Sequence, residues 1–441
     1  MKKYKNQYST RYYQAIKQQL PGGVHNNFAV ASNSGPIVIE KAINSRVYDY
    51  DGNEYLDLYS KYGSLILGHS NEEYINGLKR SLDKPNAIEM PTVSDEVCSQ
   101  LCRIVPACEM VRFGLSGTEV VGNSLRLARA YSKKQKIIRF VDHYHGSSDH
   151  VLGGIPYNEN NPYAFDPGNT IFSTQGRATN ALGETFLLPW NDIETLKSFI
   201  EHNEHEIAAV IMELVMMNSN GNTTDAQYLK QVRKLCSSKN IVLIFDEVIT
   251  GIRMGLGGVQ KAYDVTPDLT IFGKALSNGY LPVTALMGKR DIMGLYENGT
   301  VVYGGTYNGY TMGLEAVALT ISILSQYDYA NRLKQIGNGL CNIISEEAGK
   351  AGLHITTHGN AACFFICLKK SENDIYNYLG EEEAFNNYIL RTCFASYGIL
   401  LAPSTRVFVN LGFSDNDFEF FKERVQMAMG DIALILKRYR K

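Results

Sequence analysis

Residues 241–283 read IVLIFDEVITGIRMGLGGVQKAYDVTPDLTIFGKALSNGYLPV. A short apolar run ends in Asp246-Glu247, and a second ends in Gly273-Lys274, with glycine-rich turns and Thr266-Pro267-Asp268 between them. Runs of this length bounded by turn residues suit buried strands. The spacing puts a carboxylate and a primary amine at the ends of two strands, facing one crevice.

An acid at one end of a crevice and an amine at the other suit pyridoxal 5'-phosphate (PLP). Its pyridinium nitrogen takes a carboxylate partner, and its aldehyde takes a lysine as a Schiff base. Asp246 and Lys274 supply those two ends, with Lys274 also moving the substrate α-proton as base and acid. Taken singly, each residue has a plainer explanation. A lysine is ordinarily solvated, and an acid after a strand could cap a helix or serve a metal or an NTPase. No GxxxxGK[ST] stretch is present, which argues against the NTPase.

Working outward, MVRFGLSG reads as a strand running into a glycine turn and TEVVGNSLRLARAYS as a helix. KIIRFV and IAAVIMEL read as strands, and TDAQYLKQVRKLCSS as the helix before IVLIFDEV. Alternating short apolar strands and helices imply an α/β fold: a mostly parallel central sheet with helices on both faces. Ligands of such sheets bind at the carboxyl ends of the strands. The stretches SGTE, YHG, FDEV and GK all fall at those ends. Ser116-Gly117-Thr118 opens a helix, where unpaired N–H groups and the dipole favour a phosphate; a simple Ser/Thr cap reads the same way.

Taken together and in order, PGGV at 21–24, YDYDGNEYLDLY, LGH at 67–69, SGTE at 116–119, YHG at 144–146, FDEV at 245–248, GK at 273–274 and GGT at 304–306 resemble the class III PLP-dependent aminotransferases. Within them the chain is most similar to the glutamate-1-semialdehyde 2,1-aminomutase branch. The resemblance implies a fold-type I PLP-dependent transferase: a large PLP-binding domain over 66–325, an N-terminal segment over 1–65, and a small α+β domain over 326–441 that packs with that segment. It implies that Val248 lies on one face of the cofactor ring and Tyr144 on the other, and that Glu213 and Asn218 lie nearby. Thr306 corresponds to a threonine that reaches the phosphate of a neighbouring subunit, so a homodimer with shared sites is expected. His145 and His69 correspond to structural positions.

The chain departs from the aminomutase at its substrate wall. The family's PGGVNSPVR is PGGVHNNFA here, with Asn26 for the serine and Ala29 for the arginine that binds the substrate carboxylate. Alanine cannot replace that bidentate contact. Tyr62 stands for a tryptophan and Ser64 for a proline. Arg406 is a candidate to bind a carboxylate from another direction, or else an ordinary surface arginine. The expected function is therefore an aminotransferase that passes an amino group from a small-molecule donor, through the aminated cofactor (PMP), to an aldehyde or ketone other than glutamate 1-semialdehyde. An intramolecular aminomutase shares every residue named above. A non-enzymatic PLP-fold protein would not need Lys274, Asp246, SGT and Thr306 together.

Composition is consistent with this reading. With 441 residues, 44% hydrophobic and 20% charged, the chain can bury the core of a two- or three-domain enzyme. A net charge of −2 gives no basic face for nucleic acid. No run reaches ~18 apolar residues, and no apolar run follows the basic start, so neither a membrane span nor a signal peptide is expected. The eight cysteines lack zinc-ribbon or CxxC spacing, so we expect no metal site and buried free thiols in the cytoplasm. The Gly/Pro/Asn-rich stretch 153–188 reads as one long loop gating the site.

Overall fold

The structure is a computed structural model that describes residues 4, 6–26, 36–85, 89–153, 176–219, 221–369 and 381–439. The strands, in chain order, are β1 Ile39–Ile43, β2 Arg46–Asp49, β3 Glu54–Leu58, β4 Met110–Gly114, β5 Lys136–Phe140, β6 Thr185–Leu188 and β7 Ile207–Glu213. They continue as β8 Val242–Glu247, β9 Leu269–Phe272, β10 Thr284–Gly288, β11 His354–Asn360, β12 Cys363–Lys369, β13 Ile399–Leu401 and β14 Arg406–Phe408. The chain divides into two compact units, Asn76–Asp328 and Met1–Ile75 with Tyr329–Lys441.

The unit Asn76–Asp328 carries a seven-stranded sheet in the order β4-β10-β9-β8-β7-β5-β6. The pairs β5–β6, β5–β7, β7–β8 and β8–β9 are parallel, and β10 alone runs antiparallel to its neighbours β4 and β9. Every residue of β7 and β8 is buried, which is why both strands read as continuous apolar runs rather than alternating ones. The helix Gly117–Ser132 packs across β4, β7, β8, β9 and β10, and Ala226–Ser238 packs on β8. Val120, Leu125, Ile137, Ile211, Ile244 and Ile271 share one core, each contributing roughly 1.5–3 kcal/mol by burial. The helix starts agree with their caps: Ser116 accepts from Glu119 N–H, Asp192 from Thr195 N–H and Asp225 from Tyr228 N–H.

The expectation of one loop over 153–188 needs correcting. Residues 154–175 lie outside the described residues, but Thr179–Gly183 is helical and β6 extends the sheet edge beside β5. Four residues, Thr-Phe-Leu-Leu, carry too little pattern to stand out after a Gly/Asn-rich stretch, and pairing with β5 decides their conformation.

The second unit is built from both ends of the chain. Its four-stranded sheet has the order β1-β2-β3-β13, with β13 parallel to β3, and its three-stranded sheet has the order β11-β12-β14. Tyrosines near the start of the chain pack here. Tyr4 stacks on Tyr55 at 5.0 Å and Tyr8 on Tyr50 at 4.8 Å. Among the described residues, no helix is long and apolar enough to cross a membrane. The cysteines also depart from expectation. Cys102 is exposed and Cys98 and Cys341 are half-buried, because α-helical positions 98 and 102 lie toward the rim of the helix Val93–Ile104.

Candidate active site

The site is assembled at the carboxyl edge of the parallel strands. Strands β8 and β9 are in register, with Glu247 opposite Phe272, so Asp246 at the end of one and Lys274 just past the end of the other emerge on the same edge. Lys274 opens a short 3-10 turn with φ of 45°, a left-handed conformation costing roughly 1–2 kcal/mol in a residue with a Cβ. Gly273 precedes it, where an added Cβ would come within 3.2 Å of Val248 Cγ1.

Asp246 and Glu247 point to opposite sides of β8, as the two-residue period requires. The buried Glu247 accepts from Thr250 Oγ1 and from the N–H groups of Val259 and Gln260, and from the Gln260 side chain, so it is a structural anchor. Asp246 keeps the other role open. Its Oδ1 accepts from Val248 N–H at 3.1 Å, and its Oδ2 lies 2.7 Å from His145 Nδ1. His145 is thus in direct contact with the candidate acid.

Glu213 ends β7 and is paired in register with Asp246. Its carboxyl accepts from Tyr144 N–H at 2.7 Å and from Asn218 Nδ2 at 3.1 Å. Burial, and then the charge on Asp246, push its pKa up to about 8, while the hydrogen bond from Tyr144 and the charge on Lys274 pull the other way. The Glu213 N–H in turn donates to His143 Nδ1 at 2.9 Å. Burial, with His145 and Arg139 nearby, lowers the His143 pKa well below its ordinary value, so the ring is neutral. No sequence signal singled out His143, which lies in a turn; its position just past the end of β5 is the only one available.

Ser116 caps the helix Gly117–Ser132, leaving its first-turn N–H groups facing outward. Thr118 Oγ1 accepts from Ser147 N–H at 3.1 Å, tying this helix start to the YHG turn. Gly146 has φ of 100°, and a Cβ there would come within 2.6 Å of Thr118 Oγ1, so the close approach needs glycine. A Cβ on Gly117 would meet Val248 at 3.5 Å. These residues fit PLP. A buried acid stands at one strand end, a lysine at the next, and a helix N-terminus beside them, with glycines where backbone comes close. Among the described residues, no group of three His, Cys, Asp or Glu is arranged to hold a metal.

The structure brings Ser116, Gly117, Thr118, Tyr144, Glu213, Asn218, Asp246, Val248, Lys274 and Thr306 into one unit. Thr306 is exposed. The substrate candidates Asn26, Tyr62 and Arg406 belong to the other unit. Arg406 is not a surface residue. It is buried, as is every residue of the edge strand β14; its Nε donates to Pro403 O at 2.9 Å, and its guanidinium lies 5.6 Å from the centre of the Tyr62 ring. His69 lies in that unit too, with Nε2 2.8 Å from Asp57 Oδ2.

The sequence model of the class-III aminotransferases matches residues 28–366 of this chain. A glutamate-1-semialdehyde 2,1-aminomutase from Thermodesulfovibrio yellowstonii is 33% identical over 421 residues, covering 92% of this chain and 95% of that one. One from Methanobrevibacter smithii is 33% identical over 434 residues, covering 96% and 98%. An omega-transaminase from Sphaerobacter thermophilus has a similar structure, with a TM-score of 0.85 at 27% identity over 96% of this chain and 98% of that one.

Proposed function

The chain belongs to the class-III aminotransferases, enzymes whose cofactor is pyridoxal phosphate, and we propose that it moves an amino group from a small-molecule donor to an aldehyde or ketone other than glutamate 1-semialdehyde. The observation that carries this reading is the contrast between a complete set of cofactor residues and an altered substrate wall. Lys274, Asp246, Glu213 and the Ser116–Thr118 turn meet at one sheet edge, while Ala29 stands where the aminomutase branch has its carboxylate-binding arginine.

PLP, when bound, supplies an aldehyde that accepts amines and a ring that takes up electrons. The protein does the rest. Lys274 would hold the aldehyde through its amine and, once a donor amine has displaced it, would take the substrate α-proton and return it to carbon as base and acid. Asp246, which accepts from Val248 N–H and lies against His145 Nδ1, would be the acid partner of the ring nitrogen. Val248 and Tyr144 would hold the ring from either side. The start of the helix Gly117–Ser132 would bind the phosphate. Thr306, which is exposed, would add a phosphate contact in a second copy of the chain. A 770 Å³ cleft lined by Thr118, Arg126, Val302 and Gly304 opens beside the start of that helix.

Intramolecular amino transfer is the second reading, favoured by the names of the relatives that are 33% identical over nearly the whole chain. A half-reaction separates the two. Purified yellow protein is mixed with glutamate, glutamine, alanine, ornithine or simple diamines. Bleaching to the PMP form with release of a carbonyl product establishes a transaminase. Conversion of glutamate 1-semialdehyde to 5-aminolevulinate at an ordinary enzymatic rate overturns the proposal in favour of the mutase.

A further inference from the structure

His143 and His145 are 2% and 1% exposed, and their rings meet edge-on with centres 5.9 Å apart. Each uses Nδ1 in a hydrogen bond, and neither Nε2 has a partner among the described residues. Two unpartnered buried nitrogens on neighbouring rings are rare in native proteins and commonly mark an internal water.

The hydrogen bonds dictate where the protons sit. The Glu213 N–H can only donate, so His143 Nδ1 is the bare nitrogen and its proton is on Nε2. The Asp246 carboxylate can only accept, so His145 Nδ1 carries the proton, and in a neutral ring Nε2 is the lone pair. One Nε2 is therefore a donor and the other an acceptor. We propose that a single buried water joins them, accepting from His143 Nε2–H and donating to His145 Nε2, and that it thereby holds the His145 ring in the orientation that donates to Asp246. Trp190 supplies the water's third bond. Its Nε1–H is also buried with no partner among the described residues, and its ring stands edge-on to His143 at 4.7 Å. Three bonds are what a buried water typically makes.

His143 is on this account a positioning residue. It acts through the water and His145 on the acid Asp246. Asp246 fixes which nitrogen of His145 carries the proton, while His143, through the water, supplies the partner of the bare Nε2 and so fixes the ring's orientation. The link from Asp246 to the cofactor rests on the function proposed above; the water and the tautomers do not.

The test uses full-length, cofactor-free protein with 15N-labelled histidine. NMR separates protonated from bare ring nitrogens, and the nine histidines are assigned by single substitution. The expected spectrum has His143 protonated on Nε2 and His145 on Nδ1. A high-resolution crystal structure should show one water bonded to both Nε2 atoms. In His143→Phe the water should be lost and the His145 Nε2 signal should shift to that of a nitrogen without a hydrogen bond, with Nδ1 still protonated. In His143→Gln, whose amide both donates and accepts, they should be retained. A wild-type His145 protonated on Nε2, or no water between the rings, overturns the proposal. So does a His145 signal unchanged in His143→Phe. If that variant does not fold, the wild-type spectrum and density decide the question. A failure of amino transfer would leave these results standing.

Discussion

Glu213 and Asp246 sit side by side, paired in register at the ends of β7 and β8, at 4% and 7% exposure. Two carboxyls this close in a buried site cannot both ionise easily. Asp246 is held between a backbone N–H and an imidazole, and Glu213 is the one whose pKa rises, to about 8.

That shift has a sign for stability. Between the ordinary value of 4.5 and about 8, the folded protein keeps a proton on Glu213 that the unfolded chain has released. The stabilisation is complete below the unfolded value and is lost as pH rises through the folded one, at about 1.4 kcal/mol per pH unit. Glu213→Gln keeps the shape without the titration. Denaturant unfolding of both proteins from pH 5 to 8 should show the variant gaining on the wild type as pH rises. A constant difference across that range would contradict the assignment.

Lys274→Ala should fold normally, since alanine bears the same left-handed cost as lysine at φ of 45°. The protein should lose its yellow colour on dialysis, and amino transfer should fall by about 10²–10⁴-fold. Absorbance and circular dichroism on one sample distinguish loss of the amine from loss of the fold. An unaltered cofactor band in the variant would remove Lys274 from its role.

Gly146→Ala places a Cβ within 2.6 Å of Thr118 Oγ1 and 2.8 Å of Thr118 Cα, at φ of 100°. The expected cost is about 1–3 kcal/mol of stability. The displaced residue lies in the first turn of the helix proposed to bind the phosphate, so on that proposal PLP affinity should fall as well. Thermal melts with and without PLP separate the two effects, and a variant with wild-type PLP affinity would argue that the helix start does not touch the phosphate.

Gly430 supplies the opposite case. It is exposed within the helix Asp415–Tyr439, and a Cβ there would meet nothing within 4 Å. Gly430→Ala should stabilise the protein by about 1 kcal/mol with no change in PLP affinity. A destabilised variant would show that this helix face is covered in the assembled protein.

The sequence alone was enough to place Asp246 and Lys274 at strand ends, because buried parallel strands are written as apolar runs and their ends as turn residues. Helix starts were legible for the same local reason, since Ser116 and Asp225 cap the segments that follow them. Tertiary structure decided the rest. Pairing with β5 made a strand of Thr185–Leu188, which has too few residues to declare itself. The lateral register of β7 against β8 set Glu213 beside Asp246, and the turn after β5 brought His143 and His145 to them. Asp246 and Glu247 are neighbours of nearly the same chemistry, and only the donors around Glu247 show that it is the anchor. Local pattern specifies conformation through contacts a few residues apart. Which buried acid keeps its proton depends on partners 69 and 101 residues away, whose distances exist only once the sheet has formed.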